Sequence, residues 1–233
     1  YINNWIDEQS IIPMDYDDEG VKEFKKEYGL TGKYVIMYSG NIGLYYDLKN
    51  IIKVISEFKD QKDVAFLFAG SGSILKELKE YVKHNKISNV VFAPYQDKDK
   101  LKYSLGAGDV HFVVNSKGIK GVSVPSKLYG VMAAGRPVLG ILEEGTEARM
   151  IIEESKCGIV VSPGDYKAIE NLIQYYIDTK DGVNRKARTY SGFEIPEDGL
   201  TQKQMGINGR EYLEKYLTRD VSIEKYYKQI ISK

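Results

Sequence analysis

Short apolar runs alternate with longer helical patterns along this 233-residue chain, and this alternation strongly constrains the fold. Parallel strands that are buried on both faces form continuous apolar runs, and helices connect them. We therefore predict an α/β fold, a doubly wound, Rossmann-like three-layer sandwich with a parallel sheet of about six strands and C-terminal helices. The predicted strands are residues 34–38, 65–69, 90–92, 110–114, 138–141 and 159–161. The predicted crossover helices are residues 47–58, 73–84, 99–105, 127–134, 146–154 and 165–179.

The same pattern divides the chain into four segments. Residues 1–32 contain one short predicted helix, at 17–28, and are interpreted as the end of an interdomain linker. Residues 33–179 form the Rossmann-like domain. Residues 180–203 are polar and rich in turn formers, which predicts a loop or an insertion. Two C-terminal helices are predicted in residues 204–233, at 204–216 and 221–231. Because the chain starts with Tyr1, we interpret it as a piece of a longer protein.

Charge and composition exclude several classes of protein. The 33 basic residues balance the 33 acidic ones, whereas nucleic-acid-binding domains are usually strongly basic on one face. No apolar run reaches the roughly 18 residues of a membrane-spanning helix, and the first residues do not resemble a signal peptide. Cys157 is the single cysteine, so an internal disulfide is impossible and a reducing cytoplasm is expected. We interpret Cys157 as a buried apolar residue rather than a nucleophile.

Two glycine-rich turns follow the first two predicted strands. The first contains Gly40, Asn41, Ile42 and Gly43, and glycine there lets the backbone approach a diphosphate closely. The second contains Gly70, Ser71 and Gly72 and leads into a helix, for which Ser73 could be an ordinary N-cap. Each turn alone is also compatible with a plain tight turn.

Two further segments follow strands of the same sheet. Tyr95 comes after the third strand, where its ring could contact a nucleobase. Pro125, Ser126 and Lys127 come directly before a helix, where a hydroxyl donor and an ammonium group suit a phosphate. All four segments lie beyond the carboxyl ends of parallel strands, which is where doubly wound sheets bind ligands.

Other chemistries fit the sequence less well. A nicotinamide-dependent dehydrogenase needs Gly-x-Gly-x-x-Gly and an acidic residue after the second strand, and both are missing. Asp15-Tyr16-Asp17 resembles a metal-binding Asp-x-Asp, but acidic residues also favour the helix start that is predicted there. His84 lies at a predicted helix end and His111 inside a predicted strand, so no metal site is predicted.

Several segments together carry a family resemblance. The chain resembles the carboxyl-terminal, nucleotide-sugar-binding half of the group 1 retaining glycosyltransferases, the class of capsule, lipopolysaccharide and colanic-acid enzymes with two facing Rossmann-like domains. The resemblance is carried by residues 4–7 (Asn-Trp-Ile-Asp), 38–43 (Tyr-Ser-Gly-Asn-Ile-Gly), 69–72 (Ala-Gly-Ser-Gly), 89–92 (Asn-Val-Val-Phe), 107–110 (Ala-Gly-Asp-Val), 124–129 (Val-Pro-Ser-Lys-Leu-Tyr), 133–138 (Ala-Ala-Gly-Arg-Pro-Val) and 208–210 (Asn-Gly-Arg).

This resemblance implies a donor site for a nucleotide diphosphate sugar, most commonly a UDP-sugar. It implies no cofactor and no metal, because basic side chains and a helix dipole stabilise the leaving diphosphate. An amino-terminal acceptor domain or partner chain would supply the rest of the cleft, and contact with the inner face of a membrane is a further expectation. The catalytic residues are unknown. The implied donor-binding residues are Gly40, Asn41, Ile42, Gly43, Gly70, Ser71, Gly72, Tyr95, Pro125, Ser126, Lys127, Leu128 and Tyr129.

The chain also departs from the family pattern. Two glutamates eight residues apart are common in the family, but Val122 and Gly130 stand at the matching positions. A basic pair that usually follows the first glycine turn is also missing, and Lys127 or Arg136 could replace part of that charge. The isolated chain is expected to bind nucleotide weakly and to turn over poorly. A non-catalytic scaffold subunit of a split transferase stays open as the alternative, and a sugar-nucleotide epimerase is a weaker one.

Overall fold

The computed structural model describes residue 6 and residues 8–122, 125–182, 190–195 and 200–231. The strands are β1 (Tyr34–Ser39), β2 (Val64–Ala69), β3 (Val90–Ala93), β4 (Val110–Val114), β5 (Val138–Ile141) and β6 (Gly158–Val161). The helices are α1 (Glu19–Glu27), α2 (Leu48–Ser56), α3 (Leu75–His84), α4 (Leu101–Ala107), α5 (Lys127–Ala133), α6 (Glu147–Ser155), α7 (Tyr166–Asp178), α8 (Gln202–Tyr216) and α9 (Arg219–Ile231). A single 3₁₀ turn, Leu44–Tyr46, precedes α2.

The six strands form one parallel sheet in the order β3-β2-β1-β4-β5-β6. The predicted doubly wound α/β fold is therefore confirmed, and each strand end lies within one residue of its predicted position. The strand order reverses between β1 and β4, which pair through Ile36 and Val110. A crevice opens beyond the carboxyl ends of the strands at such a reversal, because the following loops diverge to opposite faces of the sheet.

Each face of the sheet buries its own apolar cluster, as alternation along β1 shows. Ile36 and Tyr38 point to the face that α2, α3 and α7 cover, whereas Val35 and Met37 point to the face that α1 and α4 cover. Helices α5, α6 and α8 cover the rest of the second face. The sandwich therefore has three layers, and its strands are too deeply buried for their side chains to bind a ligand anywhere except at the strand ends.

Several helix starts differ from the predictions by up to two residues. Helix α1 begins at Glu19 rather than at residue 17, because Asp18 caps it and its carboxylate accepts hydrogen bonds from the following backbone at 2.9 and 3.3 Å. Ser73 does not cap α3, which begins at Leu75 without a side-chain cap. Helix α8 begins two residues before the predicted start because Thr201 Oγ1 accepts a hydrogen bond from the backbone N–H of Gln204 at 3.1 Å.

The segment that was predicted to be a loop or insertion includes an ordered part. In residues 190–195, the Tyr190 hydroxyl donates to Asp178 at 2.8 Å, and the Tyr190 ring lies edge-on to Tyr175 with centroids 5.3 Å apart. The loop prediction for residues 183–189 and 196–199 lies outside the described residues, as does the linker prediction for residues 1–5 and 7. None of the helices within the described ranges is long and apolar enough to cross a membrane.

Candidate functional site

A cavity of about 430 Å³ lies at the carboxyl edge of the sheet, where the strand order reverses between β1 and β4. Its walls come from the carboxyl ends of β1 and β2, the first half of β4, the turns after β1 and β3, the N-terminal segment, and α4 and α5. The lining residues are Ile6, Ile11, Ser39, Gly40, Asn41, Tyr46, Ala69, Tyr95, Gln96, Leu101, Leu105, His111, Phe112, Ser126, Lys127, Gly130 and Val131. The cavity therefore lies at the sheet edge where doubly wound sheets bind ligands.

The two glycine turns pack directly against each other. Gly70 has a φ of +143°, and a Cβ atom on it would overlap the carbonyl oxygen of Gly40. Gly72 has a φ of +159°, and a Cβ atom there would overlap the carbonyl oxygen of Ile42. The second turn therefore supports the first from behind, and glycine is required for this close approach as well as for the positive φ.

Two backbone N–H groups of the first turn already form hydrogen bonds to neighbouring backbone. The N–H of Gly40 donates to Ala69 at 2.9 Å, and the N–H of Ile42 donates to Ser71 at 2.8 Å. These two amides are therefore not free to bind a phosphate. An anion in this cavity would depend on other donors, among them the Lys127 ammonium group and the Ser126 hydroxyl group.

The predicted donor-binding residues fall into two groups. Five of them line the cavity: Gly40, Asn41, Tyr95, Ser126 and Lys127. The others do not line it. Ile42, Gly43, Gly70, Ser71 and Gly72 build or support the turns, and Pro125 is buried before α5.

Leu128 and Tyr129 are the clearest correction among these residues. Each is only 1% exposed, and both pack in the core between the sheet and α5, α6 and α8. Their side chains lie on the buried side of α5, whereas the side chain of Lys127 lies on the side that lines the cavity. The prediction that this stretch lines the site therefore holds for Ser126 and Lys127 and is wrong for the two side chains after them.

Lys127 is the cation of the cavity wall, and it is half-buried. Its Nζ atom donates to the Tyr38 hydroxyl oxygen at 3.0 Å and lies 3.7 Å from the ring centroid of Tyr46. Burial lowers the pKa of Lys127 to about 7. Among the described residues that line the cavity, none is Asp or Glu, so the positive charge of Lys127 has no carboxylate beside it there.

The loop between β4 and α5 is held by Glu143, a residue that the sequence analysis did not single out. The carboxylate of Glu143 accepts hydrogen bonds from the backbone N–H groups of Gly118, Ile119 and Lys120 at 3.0 to 3.1 Å. These bonds lower the pKa of Glu143. Glu143 thereby anchors the loop that leads towards Ser126, although it does not line the cavity.

Sequence reasoning also missed several residues of the cavity wall. Tyr46 follows β1, so the rule that ligands bind at carboxyl strand ends could have found it. The apolar part of the wall had no comparable signal, because Ile11, Leu105 and Val131 belong to ordinary core patterns. Only the packing of α4 and α5 at the sheet edge leaves these side chains in contact with the cavity.

His111 lies at the buried end of the cavity. Its Nε2 atom is 3.0 Å from the carbonyl oxygen of Leu105, whereas its Nδ1 atom has no hydrogen-bond partner among the described residues. A carbonyl oxygen accepts only, so Nε2 carries the proton and Nδ1 is an acceptor. Burial lowers the pKa of His111 to about 3, so the imidazole stays neutral.

Arg136, Gly130 and Val122 do not supply the charged groups that the family pattern suggests for the site. Arg136 does not reach the cavity: it is buried, donates to the carbonyl oxygens of Met14 at 2.8 Å and Gly106 at 2.7 Å, and stacks on Tyr16. Gly130 lines the cavity and offers no carboxylate, while Val122 is 75% exposed. The described residues contain no cluster of three or more side chains of the types that bind metals.

Comparisons with known proteins show the family and the fold of this chain. The sequence profile described as "Glycosyl transferases group 1" matches residues 21–191, which is most of the chain. The chain belongs to the group 1 glycosyltransferases. It is similar to "Probable glycosyltransferase WbjE" of Pseudomonas aeruginosa, with 31% identity over 176 residues, which is 74% of this chain and 42% of WbjE. The chain therefore spans less than half of this relative.

Solved structures show the same fold in other group 1 and related transferases. The structure of Anabaena HepE in complex with UDP-glucose aligns with a TM-score of 0.76 at 12% identity, and it covers 100% of this chain and 57% of HepE. The C-terminal domain of the group 1 family protein LpcC from Francisella tularensis aligns with a TM-score of 0.68 at 18% identity. That alignment covers 92% of this chain and 99% of the LpcC domain.

Proposed function

We propose that this chain is the donor-binding half of a retaining glycosyltransferase that moves a sugar from a nucleotide diphosphate sugar, with a UDP-sugar as the favoured donor. The proposed acceptor is a glycan or a lipid-linked glycan in surface polysaccharide synthesis. Membership of the group 1 family supports the transfer chemistry. The complexes of HepE with UDP and with UDP-glucose support the nucleotide, because HepE contains a domain of the same fold.

The observation that carries this proposal is the position of Lys127. A half-buried ammonium group, held at the carboxyl edge of the sheet without a carboxylate in the cavity wall, is suited to a diphosphate. Ser126 adds a hydroxyl donor next to it. In the proposed reaction these two side chains stabilise the charge that develops on the leaving diphosphate, so the chain needs neither a metal nor a cofactor.

The proposed enzyme needs a second component to hold the acceptor. Transfer requires the acceptor oxygen to be held in line with the donor, and this cavity provides only the donor side of such an arrangement. We propose that an amino-terminal acceptor domain or a partner chain supplies the other side. The isolated chain should then bind nucleotide weakly and turn over poorly. The proposed location is the cytoplasm, with peripheral contact at the inner face of the membrane.

Calorimetry with UDP, UDP-glucose and uridine tests the donor site. We expect Lys127→Met to weaken UDP binding about 10- to 100-fold, the range for losing a hydrogen bond to a charged group, and to leave uridine binding unchanged. Lys76→Met is the matched control, because Lys76 is an exposed lysine of α3 whose partner is Glu80 at 3.9 Å. Equal UDP affinity of the Lys127→Met variant and the wild-type chain would contradict the proposed role of Lys127.

A non-catalytic scaffold subunit is the second candidate, and Gly130 favours it. The apolar wall around Gly130 provides no acid for ribose hydroxyls, which a donor site of this family commonly has. The same calorimetry separates the two candidates. Micromolar binding of UDP or its sugars supports the transferase, and no measurable binding of UDP, GDP or their sugars supports the scaffold.

A further inference from the structure

We propose that Tyr38 and Tyr46 are positioning residues that hold the ammonium group of Lys127 at the mouth of the cavity through their ring faces and the Tyr38 hydroxyl. We call this arrangement the aromatic cradle. The inference deepens the proposed function and rests on it, because it concerns how Lys127 is presented to a phosphate. It assigns a role to two residues that bind no part of the donor in the proposal above.

Three contacts define the aromatic cradle. The Nζ atom of Lys127 lies 3.7 Å from the ring centroid of Tyr46 and 4.6 Å from that of Tyr38. The same atom donates a hydrogen bond to the Tyr38 hydroxyl oxygen at 3.0 Å. Both ring distances lie within the roughly 6 Å over which an aromatic face attracts a cation. One ammonium group is therefore held from two sides by groups that carry no net charge.

Tyr38 is a rigid part of the cradle. It is fully buried on β1, and its hydroxyl donates to the backbone carbonyl of Asn41 at 2.6 Å. The hydroxyl proton therefore points to the first glycine turn. Towards Lys127 the hydroxyl oxygen can act only as an acceptor. Burial raises the pKa of Tyr38, so it stays a neutral phenol. Tyr38 therefore connects the position of Lys127 to the position of the glycine turn.

Tyr46 is held by the turn on which it lies. The backbone N–H of Ser116, after β4, donates to the carbonyl oxygen of the preceding residue, Tyr45, at 2.8 Å. On the other side Asp47 adopts a left-handed conformation with a φ of +50°, and its carboxylate accepts from Asn50 at 2.7 Å and from Tyr166 at 2.9 Å. The short turn is anchored at both ends, so the ring of Tyr46 stays beside Lys127.

An aromatic cradle suits an anion site better than a carboxylate would. A carboxylate partner would compete with a phosphate for Lys127, whereas a ring face attracts the ammonium form without adding a negative charge to the site. Among the described residues, Lys127 forms no ion pair. Its ammonium group contacts the phenols of Tyr38 and Tyr46. Tyr95 and His111 line the same cavity. Burial already lowers the pKa of Lys127, so its ammonium form gains more from a phosphate than an exposed lysine would.

UDP calorimetry with ring variants tests the cradle. Tyr46→Phe keeps the ring face and should leave the UDP affinity within about twofold, whereas Tyr46→Leu should weaken UDP binding about 5- to 30-fold. Uridine binding should be the same in all three proteins. In the Lys127→Met background, Tyr46→Leu should have no further effect on UDP affinity. An equal loss in both backgrounds, or an equal loss for Phe and Leu, would overturn the proposal.

A second measurement keeps this test independent of nucleotide binding. The pKa of Lys127 can be followed by carbon-13 NMR of its Cε atom in the wild-type chain and in both variants without ligand. Tyr46→Leu keeps an apolar side chain beside Lys127 but removes the ring face that favours the ammonium form, so the pKa should fall further below about 7, whereas Tyr46→Phe should leave it unchanged. An unchanged or raised pKa in Tyr46→Leu overturns the cradle. A lowered pKa in a chain that fails to bind UDP supports the cradle and overturns only the proposed function.

Discussion

Lys127 and His111 are two ionisable side chains of one cavity, and burial lowers the pKa of both. Water stabilises charged groups, so a basic side chain that is withdrawn from water loses its proton more readily. For His111 the pKa falls to about 3, far below neutrality, and the imidazole can act only as a neutral hydrogen-bonding group. For Lys127 it falls to about 7, so the amine stays within reach of its charged form.

The buried histidine makes stability depend on pH. The unfolded chain binds a proton near the ordinary histidine pKa of 6.5, whereas folded His111 does so only near pH 3. Stability is therefore complete above pH 6.5 and is lost as the pH falls through the range between these values. We expect His111 to cost the folded chain about 2 kcal/mol at pH 5 relative to pH 7.

Urea unfolding at pH 7 and pH 5 measures this effect. His111→Gln should remove most of the loss between the two pH values, because glutamine does not titrate there. His84→Gln is the matched control, since His84 is exposed at the end of α3, and it should keep the wild-type pH dependence. The expectation fails if the two variants lose the same stability on acidification.

At the scale of elements, the site depends on how closely two strand-to-helix turns approach each other. Gly70 lies against the carbonyl oxygen of Gly40, and the N–H of Gly70 donates to Ala93 of β3 at 2.9 Å. The turns after β1, β2 and β3 therefore form one connected layer above the sheet edge. A change in the second turn must be transmitted to the first, which lines the cavity.

Gly70→Ala tests this connection. The added Cβ would meet backbone and not a flexible side chain, and the φ of Gly70 is also unfavourable for alanine, so we expect a loss of about 3 kcal/mol in urea unfolding and weaker UDP binding. Gly29→Ala is the control, because Gly29 has a φ of +66° and open space at its Cβ position. It should lose only about 1 kcal/mol and bind UDP normally. Equal effects of both variants would show that backbone strain alone accounts for the loss.

At the scale of the whole molecule, α8 connects the N-terminal segment to the Rossmann-like sheet. A Cβ atom on Gly206 would overlap the carbonyl oxygen of Gly135, so the helix lies directly on the backbone that follows α5. Further along α8, the Arg210 guanidinium donates to the carbonyl oxygens of Ile11 and Ala133, both at 2.9 Å. Arg210 thus joins the start of the described chain, α5 and α8.

Replacing this arginine should loosen the connection. Arg210→Met leaves the carbonyl oxygens of Glu8, Ile11 and Ala133 without this donor, and we expect about 3 kcal/mol lower stability together with faster hydrogen exchange of residues 8–14. Arg149→Met is the matched control: Arg149 also pairs with a glutamate four residues later, at 2.8 Å, but reaches only one backbone carbonyl, at 3.3 Å. Faster exchange at residues 8–14 in both variants, or in neither, would contradict the role of Arg210.

Much of the fold could be predicted because the signals are local. Strand β5 begins and ends where its apolar run begins and ends, since burial on both faces leaves no room for polar residues within it. Helix starts were less predictable: α1 begins at Glu19 and not at residue 17, because the side chain of Asp18 caps it. Within the site, Ser126 and Lys127 were found, but Leu128 and Tyr129 were assigned to the wrong side of α5.

The sequence by itself determined the alternation of strands and helices, and hence the edge of the sheet at which a ligand can bind, because these follow from local apolar periodicity and from the handedness of crossovers. Only the tertiary structure decided which side chains meet there. Tyr38, Tyr46 and Lys127 belong to separate elements, and their contact arises from the packing of β1, its following turn and α5. No local pattern encodes that contact, because the burial that lowers the pKa of Lys127 is produced by parts of the chain that are far apart in sequence.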